Sequence, residues 1–231
     1  MMLASSVFSD RATAGAALAG KLLKRHFQQP VLVLGLPRGG VPVAYEVARL
    51  MKAPLDVMLV RKVGMPGQPE LAIGAVASGN ITVYEPQMAA EIPDFDRMFE
   101  RLAQEQRREL ERRERLYRAG LPPLELQGKT VILVDDGLAT GSTMLAAVRA
   151  ARKAGATTVV VAAPVASAEA AQLVTPEAEH VIILEVPREM FAIGSWYEDF
   201  EQLEDRTVCD LLALSHKHLN MTTGAPSEMS G

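Results

Sequence analysis

Residues 131–144 read VILVDDGLATGSTM, from Val131 to Met144. An unbroken apolar run from Val131 to Val134 has the pattern of a strand buried on both faces. It delivers Asp135 and Asp136, two carboxylates that repel each other, to the strand end. The loop that follows is built from Gly, Ala, Thr and Ser and turns into a helix starting near Ser142. The amides of such a turn lack intrahelical partners and sit at the positive end of the helix dipole. With the hydroxyls of Thr140, Ser142 and Thr143 they make a phosphate site. Carboxylates are the wrong groups to hold phosphate. They suit the hydroxyls of a diol, directly or through a metal-bound water. Phosphate at one end and vicinal hydroxyls beside it describe a ribose 5-phosphate. A P-loop is excluded because Ser142 follows Gly141 with no intervening Lys, and the chain has no GxGxxG fingerprint.

Working outward, further short apolar strands are expected over Val31–Leu34, Leu55–Val60, Thr157–Ala163 and Val181–Val186, beside Thr130–Val134 itself. Helices alternate with them over Phe8–Phe27, capped by Ser9 or Asp10, and over Val41–Met51, Ser142–Lys153, Ala168–Leu173 and Val208–Leu219. The alternation indicates an α/β fold, a parallel sheet flanked by helices on both faces. Leu71–Val83 reads as one or two short strands broken at Ser78-Gly79-Asn80. A single domain is expected over 1–219, with a long charged inserted helix at about 93–119 and a small C-terminal hood at about 187–205. A polar, disordered tail is expected over 220–231. Ligands of such sheets sit beyond the carboxyl ends of the strands at a switch point, which singles out the loops after Leu34, Val60, Val134 and Val186.

The 231 residues are 48% hydrophobic and 23% charged, as in ordinary globular proteins. Cys209 is the only cysteine, which excludes an intrachain disulfide within this sequence and fits a reducing cytoplasm. A formal net charge of −4 gives no reason to expect a nucleic-acid partner. No signal-peptide pattern opens the sequence and no apolar run reaches membrane-spanning length, so no membrane association is expected.

The segment VILVDDGLATGSTM resembles the phosphoribosyl pyrophosphate motif of the type I phosphoribosyltransferases, and DDGLATGSTM is most similar to its adenine-type version. The weaker matches extend the resemblance over about Val31 to Phe200. GLPRGGVPVA, ELAIGAVA and WYEDF also resemble a bacterial group of phosphoribosyltransferase-domain proteins. The resemblance implies a glycosyltransferase acting on phosphoribosyl pyrophosphate with Mg²⁺. Asp135 and Asp136 would take the ribose hydroxyls and the metal, and Ala139, Thr140, Gly141, Ser142 and Thr143 would wrap the 5-phosphate. Ala139 stands where 6-oxopurine enzymes carry their presumed base, which speaks against hypoxanthine or guanine.

The loop GLPRGGVP corresponds to the pyrophosphate loop. There Gly39 and Gly40 allow close backbone approach and Arg38 offers a fork for phosphate oxygens. The resemblance implies a cis peptide at Pro37–Arg38. The stretch RKVGMPGQPE corresponds to a lid, in which Arg61 and Lys62 could neutralise pyrophosphate and Glu70 is a candidate acid or base. In the hood, Phe191 would stack on a flat heterocycle and Glu198 would take an acidic place near the metal. An alternative reading of the hood is that Phe191, Trp196, Tyr197 and Phe200 close the bottom of the core.

On the long helix, Phe95, Met98, Phe99, Leu102, Gln106, Leu110 and Leu116 or Tyr117 form one narrow apolar stripe. Glu111–Arg115 and Glu114–Arg118 stand at i,i+4 spacing on the other faces. The interleaved acids cancel much of the arginine field, so a homodimer contact is expected of this helix rather than RNA. Two functions share these features: a phosphoribosyltransferase joining the donor to a small, purine-like base, and a sensor that binds the donor or a nucleotide without turnover.

Overall fold

The computed structural model describes residues 8–223, apart from the side chains of Pro69, Glu70 and residues 220–223. Its centre is a five-stranded sheet in the order β2-β1-β6-β7-β8. The strands are β1 (Val31–Gly35), β2 (Leu55–Val57), β6 (Thr130–Val134), β7 (Thr158–Val165) and β8 (His180–Glu185). Every neighbouring pair in it is parallel. Successive side chains of a strand point to opposite faces. Val31, Val33, Ile132, Val134, Val160 and Ala162 therefore go to one face. There they meet α1 (Arg11–Leu22), α2 (Gly40–Met51) and α7 (Asp205–Thr223). Leu32, Leu34, Val131, Leu133, Val159 and Val161 go to the other, against α5 (Ser142–Lys153) and α6 (Ala168–Val174). Both faces are covered, which is why the strands read as continuous apolar runs. The chain leaves β1 on one side for β2 and returns on the other side as β6, so the switch point lies between β1 and β6.

Three sequence expectations are corrected. The strand expected over Leu55–Val60 splits: β2 ends at Val57, and the chain turns away at Met58–Leu59. The stretch expected to be a lid loop is instead a second, antiparallel sheet of three strands: β3 (Val60–Met65), β4 (Gln68–Ala77) and β5 (Ile81–Tyr84). Pro66 and Gly67 do not break it, because they occupy its two-residue turn, where Gly67 takes a φ of +79°. The break at Ser78-Gly79-Asn80 is found where expected, as the turn between β4 and β5. The first helix spans only Arg11–Leu22, capped by the Asp10 carboxylate, which accepts from Thr13 N at 2.7 Å. Phe8 instead bridges to Tyr197.

After α3 (Pro86–Glu91), the inserted helix α4 (Phe95–Tyr117) is present as expected, but its stripe packs within the chain. Phe95, Phe99, Ala103, Leu110 and Tyr117 are buried. Tyr84 of β5 meets the Phe95 and Phe99 rings at 5.2 and 4.8 Å between centroids. The stripe is thereby removed as an argument for a dimer contact. The expected pair Glu114–Arg118 gives way to stronger partners. Arg118 grips Asp56 of β2 through two bonds of 2.9 Å, both side chains largely buried, and Glu114 accepts from Gly79 N at 3.3 Å. Glu111–Arg115 is not among the ion pairs of the described residues. Helix α7 overlaps the expected tail as far as Thr223, and the rest of that tail lies outside the described residues. No helix among the described residues is long and apolar enough to cross a membrane.

Phe99 is fully buried at the junction of α4 with the second sheet. We expect Phe99→Ala to cost about 3–5 kcal/mol in urea unfolding. It should also expose the Met65–Gln68 turn to limited proteolysis before the parallel sheet opens.

Candidate functional site

The ends of β1 and β6 lie side by side, with Gly35 paired to Val134. They bring the loop 36–40 against the acids of 135–136. A Cβ on Gly39 would lie 2.0 Å from Asp136 Oδ2, and one on Gly40 would lie 2.5 Å from Val134 O. Only glycine permits that approach, although the φ of Gly39, −59°, is open to any residue. The Pro37–Arg38 peptide is cis, as expected. Leu36 O accepts from the Gly40 amide at 3.0 Å, so Gly40 is not a free donor. Among the described residues the Arg38 and Gly39 amides have no protein acceptor.

On the other side of the acids, α5 starts at Ser142 with Gly141 as its N-cap, at a φ of +74°, and no side chain caps it. Thr140 Oγ1 and Ser142 Oγ stand 3.0 Å apart, and Ser142 N reaches Thr140 Oγ1 only at 3.5 Å. The Leu138 amide donates to Val165 O at 2.9 Å, while the amides of Ala139, Thr140, Gly141 and Thr143 have no acceptor among the described residues. Ala139, Thr140 and Thr143 are exposed. Uncapped amides, hydroxyls and the dipole thus face outward together.

The two acids differ. Asp136 is buried, and its Oδ2 accepts from Arg11 Nε at 2.8 Å, an ion pair in which each side chain is 10% exposed. Asp135 Oδ1 accepts from the Asp136 amide at 2.9 Å. No side chain donates to Asp135, and no buried side-chain oxygen or nitrogen among the described residues lacks a partner. The second Asp135 oxygen is therefore one that solvent reaches. Burial, then the charge of Asp136, pushes the Asp135 carboxyl well above the ordinary carboxylate range. Burial raises Asp136 too, and Arg11 opposes that rise.

Arg11 went unnoticed in the sequence. It lies on the buried stripe of α1 with Ala14, Leu18 and Leu22, and a charge on an apolar stripe was the available signal. Its guanidinium lies 3.8 Å over the Phe200 ring, and Nη1 donates to Glu201 O at 3.0 Å. Tyr197 OH donates to Asp136 O at 2.6 Å. Burial and the nearby acids raise the Tyr197 hydroxyl, keeping it a donor. Tyr197 packs between Phe8 and Phe200, at 5.5 and 5.0 Å. The WYEDF segment thus holds the acids from below, as the core-closing alternative anticipates for Trp196, Tyr197 and Phe200. Phe191 does not join them, since it is 92% exposed and its ring covers nothing.

Lys62 and Arg61, neighbours on β3, point to opposite faces. Lys62 Nζ donates to Ser142 Oγ at 3.3 Å, beside the phosphate loop. Arg61 Nε donates to Gln106 Oε1 of α4 at 2.7 Å and lines a small cleft with Pro37, Thr143 and Arg113. Glu70 falls where β4 carries extra residues between Gln68 and Ala72, and its side chain is not described. Glu198 is exposed. Among the described residues no group of three or more His, Cys, Asp or Glu side chains gathers as a metal site, so Glu198 does not join Asp135 and Asp136 in one.

The sheet is parallel, and an uncapped helix start and an acid pair stand together at its switch point, where ligands of open α/β sheets bind. The family model described as "Phosphoribosyl transferase domain" matches residues 9–198, and the chain belongs to that family. It is 39% identical over 211 residues to "Putative phosphoribosyl transferase Rv0571c" of Mycobacterium tuberculosis (strain H37Rv), covering 91% of this chain and 47% of that protein. "Putative phosphoribosyl transferase MT0597" of strain CDC 1551 matches equally. The chain therefore spans about half the length of the curated relatives it matches. Among solved structures, TT1426 from Thermus thermophilus is similar, with a TM-score of 0.82 and 44% identity, covering 89% of this chain and 97% of that one.

We expect Gly39→Ala to drive the loop off Asp136. The outcome should be a lower melting temperature and loss of phosphate-ester binding, read by calorimetry and a thermal scan.

Proposed function

We propose that the chain is a phosphoribosyltransferase. It transfers ribose 5-phosphate from phosphoribosyl pyrophosphate to a nitrogen of a purine-like base and releases pyrophosphate. The observation that carries this reading is the set of uncapped amides at 140–143 beside an acid pair at the switch point, with a second anion-binding loop at 37–39 across the acids.

In this reading the amides and hydroxyls of Thr140–Thr143 hold the 5-phosphate, and Asp135 of the acid pair faces the ribose hydroxyls. Arg38, the Gly39 amide and Lys62 meet the pyrophosphate. As the bond from carbon 1 to pyrophosphate breaks, positive charge develops on the sugar and negative charge on the leaving group. The donors that await the leaving group are fixed in advance, so they stabilise that separation without reorganising. The base attacks carbon 1 from the side opposite pyrophosphate, and Glu70 is the candidate to take its proton. Mg²⁺ is bound in many phosphate sites by one or two carboxylates and by substrate oxygens, and the Asp135 carboxylate would suffice for that donor chemistry. When bound, Mg²⁺ neutralises charge on the pyrophosphate. The sequence's lone cysteine accords with work in a reducing cytoplasm.

The sensor reading draws on the exposure of Phe191, the ring expected to stack on the base. Offering the donor, Mg²⁺ and a panel of purine-type bases should yield pyrophosphate. Chelation of the metal should stop it, and Arg38→Ala should lower kcat by about 10²–10³-fold. Tight donor binding with no turnover on any base would instead establish a sensor.

A further inference from the structure

The two adjacent acids are held in unlike ways, a difference that ribose binding by both would not require. Asp136 is enclosed: Arg11 Nε donates to Oδ2 from below, and Gly39 lies over the carboxylate so closely that a Cβ there would fall 2.0 Å from Oδ2. Its main chain is held as well, by Tyr197 OH at 2.6 Å. Arg11 is itself fixed at three points: Asp136, the Glu201 carbonyl and the Phe200 ring. Asp135 is held differently: one oxygen accepts from the neighbouring amide, and no side chain donates to the other, which solvent reaches.

We propose that Arg11 is a positioning residue that takes Asp136 out of ligand contact, leaving Asp135 as the one carboxylate that meets the ribose. The inference rests on the reading of residues 135–143 as a ribose-phosphate cradle. The guanidinium balances the charge of Asp136 and so lessens its repulsion of the carboxyl group beside it. It also ties the first turn of α1 and the hood to the end of β6. Arg suits this place better than Lys, because Nε and Nη1 point to different acceptors while the plane stacks on Phe200.

The test measures three quantities for wild type, Asp135→Asn, Asp136→Asn, Arg11→Met, Arg11→Lys and the double variant Arg11→Met/Asp136→Asn. These are the dissociation constant of phosphoribosyl pyrophosphate with Mg²⁺, that of inorganic phosphate, and the melting temperature. Asp135→Asn should weaken the donor by roughly 100-fold, with phosphate affinity and melting temperature unchanged. Asp136→Asn should lower the melting temperature and weaken the donor by only about tenfold. Arg11→Met should behave like Asp136→Asn, Arg11→Lys should recover part of the loss, and the double variant should be no worse than the poorer single one.

A general collapse would weaken phosphate and donor together, whereas a positioning role weakens the donor alone. Should Arg11→Met fail to fold, the contrast between the two Asn variants still decides. The inference is overturned if Asp136→Asn costs as much donor affinity as Asp135→Asn at an unchanged melting temperature, or if a folded Arg11→Met binds donor like wild type. Wild-type protein that takes up no donor would overturn the ribose-phosphate reading itself, and this inference with it.

Discussion

Two neighbouring carboxylates at a buried strand end would repel each other strongly, and the ion pair between Arg11 and Asp136 is what makes the arrangement tenable. A buried charge left without its partner costs several kcal/mol, so the pair must be complete for this end of the molecule to hold. Completing it recruits distant parts of the chain. Arg11 comes from the first turn of α1, Phe200 and Tyr197 come from beyond β8, and Gly39 comes from the loop after β1. The Glu198 and Asp199 amides also donate to Phe8 O and Ser9 O, each at 2.9 Å. The acids are thus the point where the start of the described chain, the segment that follows β8 and the centre of the sheet are fastened together.

Around that fixed point the second sheet and α4 shape the mouth of the site. Lys62 reaches over Ser142, while Arg61 reaches back to Gln106 of α4. Helix α4 is anchored at its far end by the Asp56–Arg118 pair and by a hydrogen bond from Tyr117 to Asp205 of α7. The stretch that the family uses as a lid is therefore a hairpin braced by a helix, which is itself clamped to the edge of the parallel sheet. Arg107 adds a tie from α4 to Thr82 of β5 at 2.9 Å.

Much of this was legible in the sequence because it follows from local rules. Continuous apolar strands alternating with helices give a parallel sheet covered on both faces, and β1, β6 and β7 are found within a residue or two of their expected places. The turn between β6 and α5 was legible for the same reason, since a strand, small residues and a helix start are contiguous. What could not be read depended on partners far apart in sequence. Arg11 and Asp136 are separated by 125 positions, and only the stray charge on an apolar stripe hinted at the contact. The Leu55–Val60 strand failed because apolar character continues through the bend at Met58–Leu59, so periodicity carries no mark of the switch between sheets. The loop conformation expected there failed because Pro66 and Gly67 signal a turn equally well in a loop and in a hairpin. Glu114 and Arg118 have the spacing of a helical pair, but a largely buried bidentate contact to Asp56 wins over an exposed one worth a few tenths of a kcal/mol.

The central claim is that residues 135–143 cradle a sugar phosphate, amides toward the anion and an acid toward the ring. The most direct measurement is a crystal structure of the protein with ribose 5-phosphate bound. The account places the phosphate within hydrogen-bonding distance of the Thr140–Thr143 amides and the ribose hydroxyls against Asp135. A phosphate seated elsewhere, or a sugar turned away from Asp135 with its hydroxyls in solvent, would contradict it.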